Sequence, residues 1–145
     1  MRPDPHFGPT YQIIQKSQRL RRMWDAKHGA NSDISRSERA VLDYLVIEGS
    51  ATVPHIAKHH AVSRQHIQVT ADGLAARGLV QFTANPKHKS SRLLDVTMNG
   101  ERAHARATKF EAETLTAIEE VLDESTAKEV EKALDLILAV LRDRI

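Results

Sequence analysis

Six cations crowd residues 54–97: Lys58, Arg64, Arg77, Lys87, Lys89 and Arg92 stand against only two acids, Asp72 and Asp95. Such an excess attracts a polyanion, and the polar side chains beside it narrow the choice. Ile67, Ala71 and Leu74 recur at the spacing of one helical face, which puts Gln65 and Val69 opposite them, flanked by His66 and Gln68, with Arg64 at the entry. Arginine can bond guanine at two atoms, glutamine can do the same to adenine, and an exposed valine can meet a thymine methyl. Double-stranded DNA is therefore the first partner to consider. Lys87, His88, Lys89 and Arg92 lie in or beside one turn with no acid nearby, a pattern suited to phosphates and the minor groove. A single exposed valine or a basic loop is commonplace on any surface; their conjunction carries the reading.

Holding these side chains in place takes two helices and a hairpin, and the chain signals all three. Thr52 is a suitable N-cap with Pro54 in the first turn of a short helix that buries Ile56 and flanking Ala57 and ends near His60. Val62-Ser63 makes the turn, and Ser63 caps a second helix lasting to Gly78, where a left-handed terminator is wanted. Leu79–Thr83 and Arg92–Val96 read as strands, with Asn85–Ser91 as the hairpin tip. Upstream, Ser35-Arg36-Ser37-Glu38 is a capping box that opens a helix directing Val41, Leu42, Leu45 and Val46 inward and stopping at Gly49. A helix-turn-helix followed by a basic wing is built to lie on a phosphate backbone with one helix in a groove, Ser63 anchoring that helix on a phosphate.

The flanks read as helices. Residues 1–9, with Pro3, Pro5, Gly8 and Pro9, form a flexible or extended start. From Thr10, the residues Ile13, Ile14, Ser17, Leu20 and Trp24 share a stripe that His28-Gly29-Ala30-Asn31 ends. Thr97 or Asn99 caps a long helix to about Leu122, buried through Ala103, Ala107, Phe110, Leu115 and Ile118. Ser125 caps the last helix, with an apolar set of Val130, Ala133, Leu134, Ile137, Leu138, Leu141 and Ile145. Leu136 and Val140 lie off that stripe, which suits either an interface between copies or a deeply buried central helix.

Composition narrows the function classes. At 145 residues the chain has the length of one domain, and 4% aromatic content implies a core of Leu, Ile, Val and Ala, better suited to packed helices than to strands. The net charge of +2 conceals a basic middle and an acidic tail, since residues 98–145 carry seven Lys/Arg against eleven Asp/Glu. Without cysteine, disulfides, thiolate metal sites and thiol redox sensing are excluded. The start shows no apolar leader and the longest apolar run, Leu136–Leu141, is too short to cross a bilayer, so a cytoplasmic location without membrane contact is expected. His55 and His59 at i, i+4, with His60 adjacent, are spaced to share a zinc ion, but no further ligands stand nearby. No metal or other cofactor is expected, and His59 and His60 at a helix end suit a phosphate better. Asp25, Asp33, Asp43 and Glu48 fall into no catalytic motif, and no phosphate-cradling glycine loop or nucleophile elbow occurs, so no enzyme is expected.

Over residues 10–145 the chain resembles the MarR family of winged-helix transcriptional regulators. The likeness rests on Ser37-Glu38-Arg39-Ala40-Val41-Leu42, Ile56-Ala57, Val62-Ser63-Arg64-Gln65, Asp72-Gly73-Leu74, Ala76-Arg77-Gly78-Leu79-Val80 and Asn85-Pro86-Lys87-His88-Lys89-Ser90, closing with Leu93, Val96-Thr97 and Gly100. The resemblance implies a mainly α fold with a small β-wing: a winged helix-turn-helix at 35–97 flanked by dimerisation helices at 10–34 and 98–145. It also implies a homodimer on a pseudo-palindromic operator, repression rather than activation, and a small, often aromatic, anionic effector. Two departures stand out: the family commonly has arginine where this chain has Val69 and Gly73, and again at Ser90, leaving Lys87, Lys89 and Arg92 to hold the backbone. The alternative is a winged helix used only for protein contacts, which would be indifferent to salt on a DNA column.

Overall fold

The computed structural model describes residues 4, 6, 8–29 and 32–144, Arg144 by its backbone alone. Of the expected extended start, Met1, Arg2, Pro3, Pro5 and Phe7 lie outside the described residues, as do Ala30 and Asn31 of the expected helix stop and Ile145 of the last apolar set. The chain packs as two compact units, residues 1–109 and 110–145.

The first unit opens with α1 (Pro9–His28), whose proline sits in the first turn, where its missing N–H is no loss. Then come α2 (Arg36–Glu48), β1 (Ala51–Thr52), α3 (Val53–His60), α4 (Arg64–Ala76), β2 (Val80–Thr83), β3 (Leu93–Val96) and α5 (Met98–Lys109). The capping box is present: Glu38 N–H donates to Ser35 Oγ at 3.2 Å and Ser35 N–H donates to Glu38 Oε2 at 2.7 Å. Gly49 ends α2 at φ 89, a backbone conformation that L side chains rarely adopt. Thr52 caps α3 by accepting from His55 N–H, and Ser63 caps α4 by accepting from His66 N–H.

The three helices α2, α3 and α4 close around one core. Leu42, Ile56, Leu74 and Leu94 are fully buried within it, with Val41, Ile67, Ala71 and Val80 beside them and Ala103 and Ala107 of α5 covering one side. Val46, expected inside, is exposed, and Tyr44 is buried instead; one-residue shifts around a helix decide this, and apolar spacing alone does not resolve them. The strands form an antiparallel sheet in the order β1-β3-β2, with Phe82 opposite Leu94 and Ala51 also opposite Leu94. Across the fold, Arg77 Nη1 donates to Glu38 Oε1 at 3.0 Å, tying the end of α4 to the first turn of α2.

Two expectations on the C-terminal side are corrected. The single long helix to Leu122 is interrupted: α5 stops at Lys109, and α6 (Ala112–Glu119) belongs to the second unit. Ala103 and Ala107 are buried, but Phe110 and Leu115 are exposed. No glycine or proline marks the break, so the apolar period runs through two helices in different units as though they were one. The last helix, α7 (Glu124–Arg144), is capped by Asp123 rather than Ser125. Asp123 accepts from Thr126 N–H at 3.0 Å and from Thr126 Oγ1 at 2.8 Å, and these bonds hold its carboxyl below the usual carboxylate range. A carboxylate can accept both bonds at once, which one serine oxygen two positions on does less well. No described side chain of α7 is buried.

Candidate nucleic-acid interface

In α4 the packing of Ile67, Ala71 and Leu74 turns the opposite face outward, as the helical spacing requires. Arg64, Gln65, Gln68 and Val69 are all exposed on it, Val69 to 65%. Ser63 Oγ accepts from His66 N–H, so its hydroxyl proton remains available to a phosphate oxygen. Two of the sequence candidates are already engaged. Gln68 Nε2 donates to Asp72 Oδ1 at 2.9 Å, leaving its carbonyl oxygen to accept from a base. His66 Nε2 lies 3.1 Å from Ser37 Oγ and lines a separate hollow with Arg36 and His60, away from Gln65 and Val69.

The wing tip is ordered by its own backbone. Asn85 Oδ1 accepts from Lys87 N–H at 3.0 Å, His88 N–H donates to Asn85 O at 3.3 Å, and Ser91 N–H donates to His88 O at 3.4 Å. Lys87, His88 and Lys89 therefore project from a defined turn, exposed to solvent. Arg92 is treated differently: its guanidinium carbon lies 4.5 Å from the centroid of the Phe82 ring. Between helix and wing runs a cleft of about 510 Å³, lined by Arg64, Gln65 and Val69 on one side and by Phe82, Ser90 and Arg92 on the other. The sequence reading did not single out Phe82; an aromatic residue amid the cations of a hairpin was the available signal.

Not every cation in the basic stretch is free. Arg77 is ion-paired to Glu38, and upstream Arg36 pairs with Asp25 and Arg39 with Asp43. Three of the four acids weighed for catalysis are paired as well: Asp25 with Arg36, Asp43 Oδ1 at 2.6 Å from Arg39 Nε and 2.7 Å from His104 Nε2, and Asp33 at 3.6 Å from Arg106 Nη2. Apart from Arg39–Asp43, which lies within α2, these pairs link different elements of the fold.

The histidines of α3 gather on Tyr44, with ring centroids at 4.9 Å for His59 and 6.1 Å for both His55 and His60. Among the described residues no group of three or more His, Asp or Glu is arranged to hold a metal ion. His60 packs against Tyr44 and leaves Nε2 buried without a hydrogen-bond partner, a position unlike the phosphate contact expected for it. Burial, reinforced by the neighbouring His59, pushes the His60 pKa below the ordinary 6.5, while the Ala40 carbonyl and Asp43 act in the opposite sense. The unfolded chain thus takes up this proton first as pH falls. The His60 contribution to stability is complete above about 6.5 and declines below it, toward the folded pKa. Urea midpoints measured from pH 8 to 5.5 should fall on the acid side, and His60→Gln should flatten that decline; a midpoint that climbs with acid would contradict the assignment.

Residues 32–89 match the sequence profile of the MarR family. Uncharacterized proteins of Mycobacterium tuberculosis and Mycobacterium bovis are 40% identical over 58 residues, which is 40% of this chain and 41% of theirs, so the match spans about two fifths of those relatives. A MarR family regulator from Neisseria meningitidis has the same fold, with a TM-score of 0.76 and 22% identity over 95% of this chain and 96% of that one. A mutant MarR from E. coli complexed with operator DNA superposes with a TM-score of 0.66 and 22% identity, covering 94% and 96%. This chain shares its mainly α winged-helix fold with these two solved structures. No helix among the described residues is long and apolar enough to cross a membrane.

Proposed function

We propose that this chain, whose residues 32–89 match the MarR family profile, is a homodimeric, sequence-specific DNA-binding regulator of that family that represses from a pseudo-palindromic operator. The observation that carries the reading is the outward face of α4, with Arg64, Gln65 and Val69 facing Arg92 across the cleft beside a wing tip of exposed cations. In this mechanism Arg64, Gln65, Gln68 and Val69 read the major groove, Ser63 bonds a phosphate, and Lys87, His88 and Lys89 hold the backbone and minor groove. His66, turned to Ser37, supports the helix from behind. Two copies paired through their terminal helices would place the two α4 helices in successive major grooves, about 34–36 Å apart. A small anionic effector that favours a different spacing of the two heads would shift the population off the operator.

Selection of bound fragments from random duplex DNA tests the reading directly: a two-fold symmetric consensus is expected, and a mobility unchanged beside every duplex at low salt would end it. Gln65→Ala should lose on the order of 1–3 kcal/mol at one base pair and relax specificity there. Lys89→Ala should weaken all sequences alike and lower the salt slope by about one unit. Equal, sequence-independent losses from both would refute the division of roles.

A further inference from the structure

Of the five arginines in residues 36–97, Arg36, Arg39 and Arg77 have carboxylate partners, whereas Arg64 and Arg92 make no ion pair among the described residues. Both line the cleft between α4 and the wing. We propose that this cleft seats one backbone phosphate of the duplex between Arg64 and Arg92, with Phe82 as the positioning residue that holds Arg92 for it. The proposal rests on the DNA-binding reading above and deepens it, giving Arg64 and Arg92 one shared phosphate where that reading set Arg64 toward the bases.

The register explains how the pair forms. Phe82 stands opposite Leu94, two residues beyond Arg92 on the neighbouring strand, so the two side chains share a sheet face as diagonal neighbours. With Cζ at 4.5 Å from the ring centroid, the guanidinium is within the range of a cation–π contact. That contact uses the ring face and leaves the N–H edges of the guanidinium for a phosphate, which arginine can bond at two oxygens. A long, exposed side chain on a hairpin would otherwise sample many rotamers, and resting on Phe82 removes part of that entropy before DNA arrives. Ser90 and Ser91 line the same cleft, small enough to leave the space open and carrying hydroxyls that can also donate to phosphate. The opposite wall places Arg64 in the first turn of α4, beside the capping hydroxyl of Ser63. The cleft is thus open, has an arginine on each side and, at about 510 Å³, has volume to spare for a phosphate group.

The experiment is equilibrium binding of one fixed duplex by the full chain across a series of KCl concentrations. Arg92→Ala should bind several-fold more weakly and reduce the slope of log K against log [KCl] by about 0.9. Phe82→Leu, which keeps apolar bulk but removes the ring, should weaken binding by roughly three- to tenfold. Phe82→Trp should retain the affinity of the parent chain, and Phe82→Leu should add nothing once Arg92 is alanine. In the unbound protein, the Arg92 side-chain protons should show an upfield ring-current shift that Phe82→Leu abolishes and Phe82→Trp preserves. The positioning role is overturned if the Phe82→Leu and Arg92→Ala losses multiply, if Phe82→Leu binds like the parent, or if the ring-current shift is absent. A parent chain with no duplex affinity at any salt would overturn the DNA-binding reading itself and this inference with it.

Discussion

A chain carrying Leu136→Glu is expected to sediment as a monomer and to bind operator DNA more weakly by a factor on the order of 10²–10⁴, the range over which bivalent attachment exceeds a single contact. Leu136 is 63% exposed, and Leu138, Val140 and Leu141 each remain about half exposed. At about 100° per residue, the apolar positions of α7 from Leu138 round to Leu136 span an arc of roughly 200°, wider than the stripe of an ordinary surface helix. On α1, Leu20 and Met23 are exposed to 62% and 60%. Each helix thus carries exposed apolar surface of its own, of the kind that marks an interface. A carboxylate placed in it would have to be desolvated without a partner, which opposes pairing strongly. Because Leu136 is exposed within the chain, the far-ultraviolet circular dichroism of the variant should match that of the parent. Sedimentation of the parent as a monomer, or undiminished operator affinity in a monomeric variant, would remove the dimer from the mechanism.

Gly100→Ala should be the most damaging single methyl in the protein, lowering stability by about 2–3 kcal/mol. Gly100 lies in the first turn of α5, buried, where its N–H donates to the capping oxygen of Thr97 at 3.1 Å. Thr97 is itself anchored to the wing base: its N–H donates to Leu79 O at 3.1 Å and its hydroxyl to Gly78 O at 2.6 Å. A Cβ on Gly100 would run into the Leu79 carbonyl and crowd Val96 Cγ2 at 2.8 Å. The obstacle is backbone inside a hydrogen-bonded corner, so it cannot rotate away as a flexible side chain would. Alanine's better helix propensity returns only about 1 kcal/mol. Thermal melting should drop on the order of 10 °C, and duplex affinity should fall with it, since the same corner sets the base of the wing. Gly73→Ala is the control: it is helical with nothing within 4 Å of its Cβ position, so it should stabilise slightly. A Gly100→Ala melting point equal to that of Gly73→Ala would show the corner to be looser than drawn.

The winged helix was legible because its signals are local. Ser35 with Glu38, Thr52 and Ser63 are caps whose partners lie within three residues, and each makes its predicted bond. Gly78 takes the left-handed conformation expected of it, at φ 70. The same logic failed where a better local solution sat one or two residues away, as with Asp123 ahead of Ser125. It also missed Ala61, which occupies the left-handed region at φ 53 without the glycine that normally announces it. The two-residue β1 went unread because nothing in Ala51-Thr52 favours a strand; its existence depends on β3 being there to pair with.

Sequence alone determined the outward face of α4, the basic wing tip and the helices that carry them, because capping, turn chemistry and helical periodicity act over a few residues. Only the tertiary structure decided which of those side chains are free to act. It turned His66 to Ser37, tied Arg77 to Glu38, rested Arg92 on Phe82 and gathered three histidines on Tyr44. Each is a contact that depends on folded geometry, two of them between residues more than 25 positions apart, and the range of a cap or a helical repeat does not reach that far.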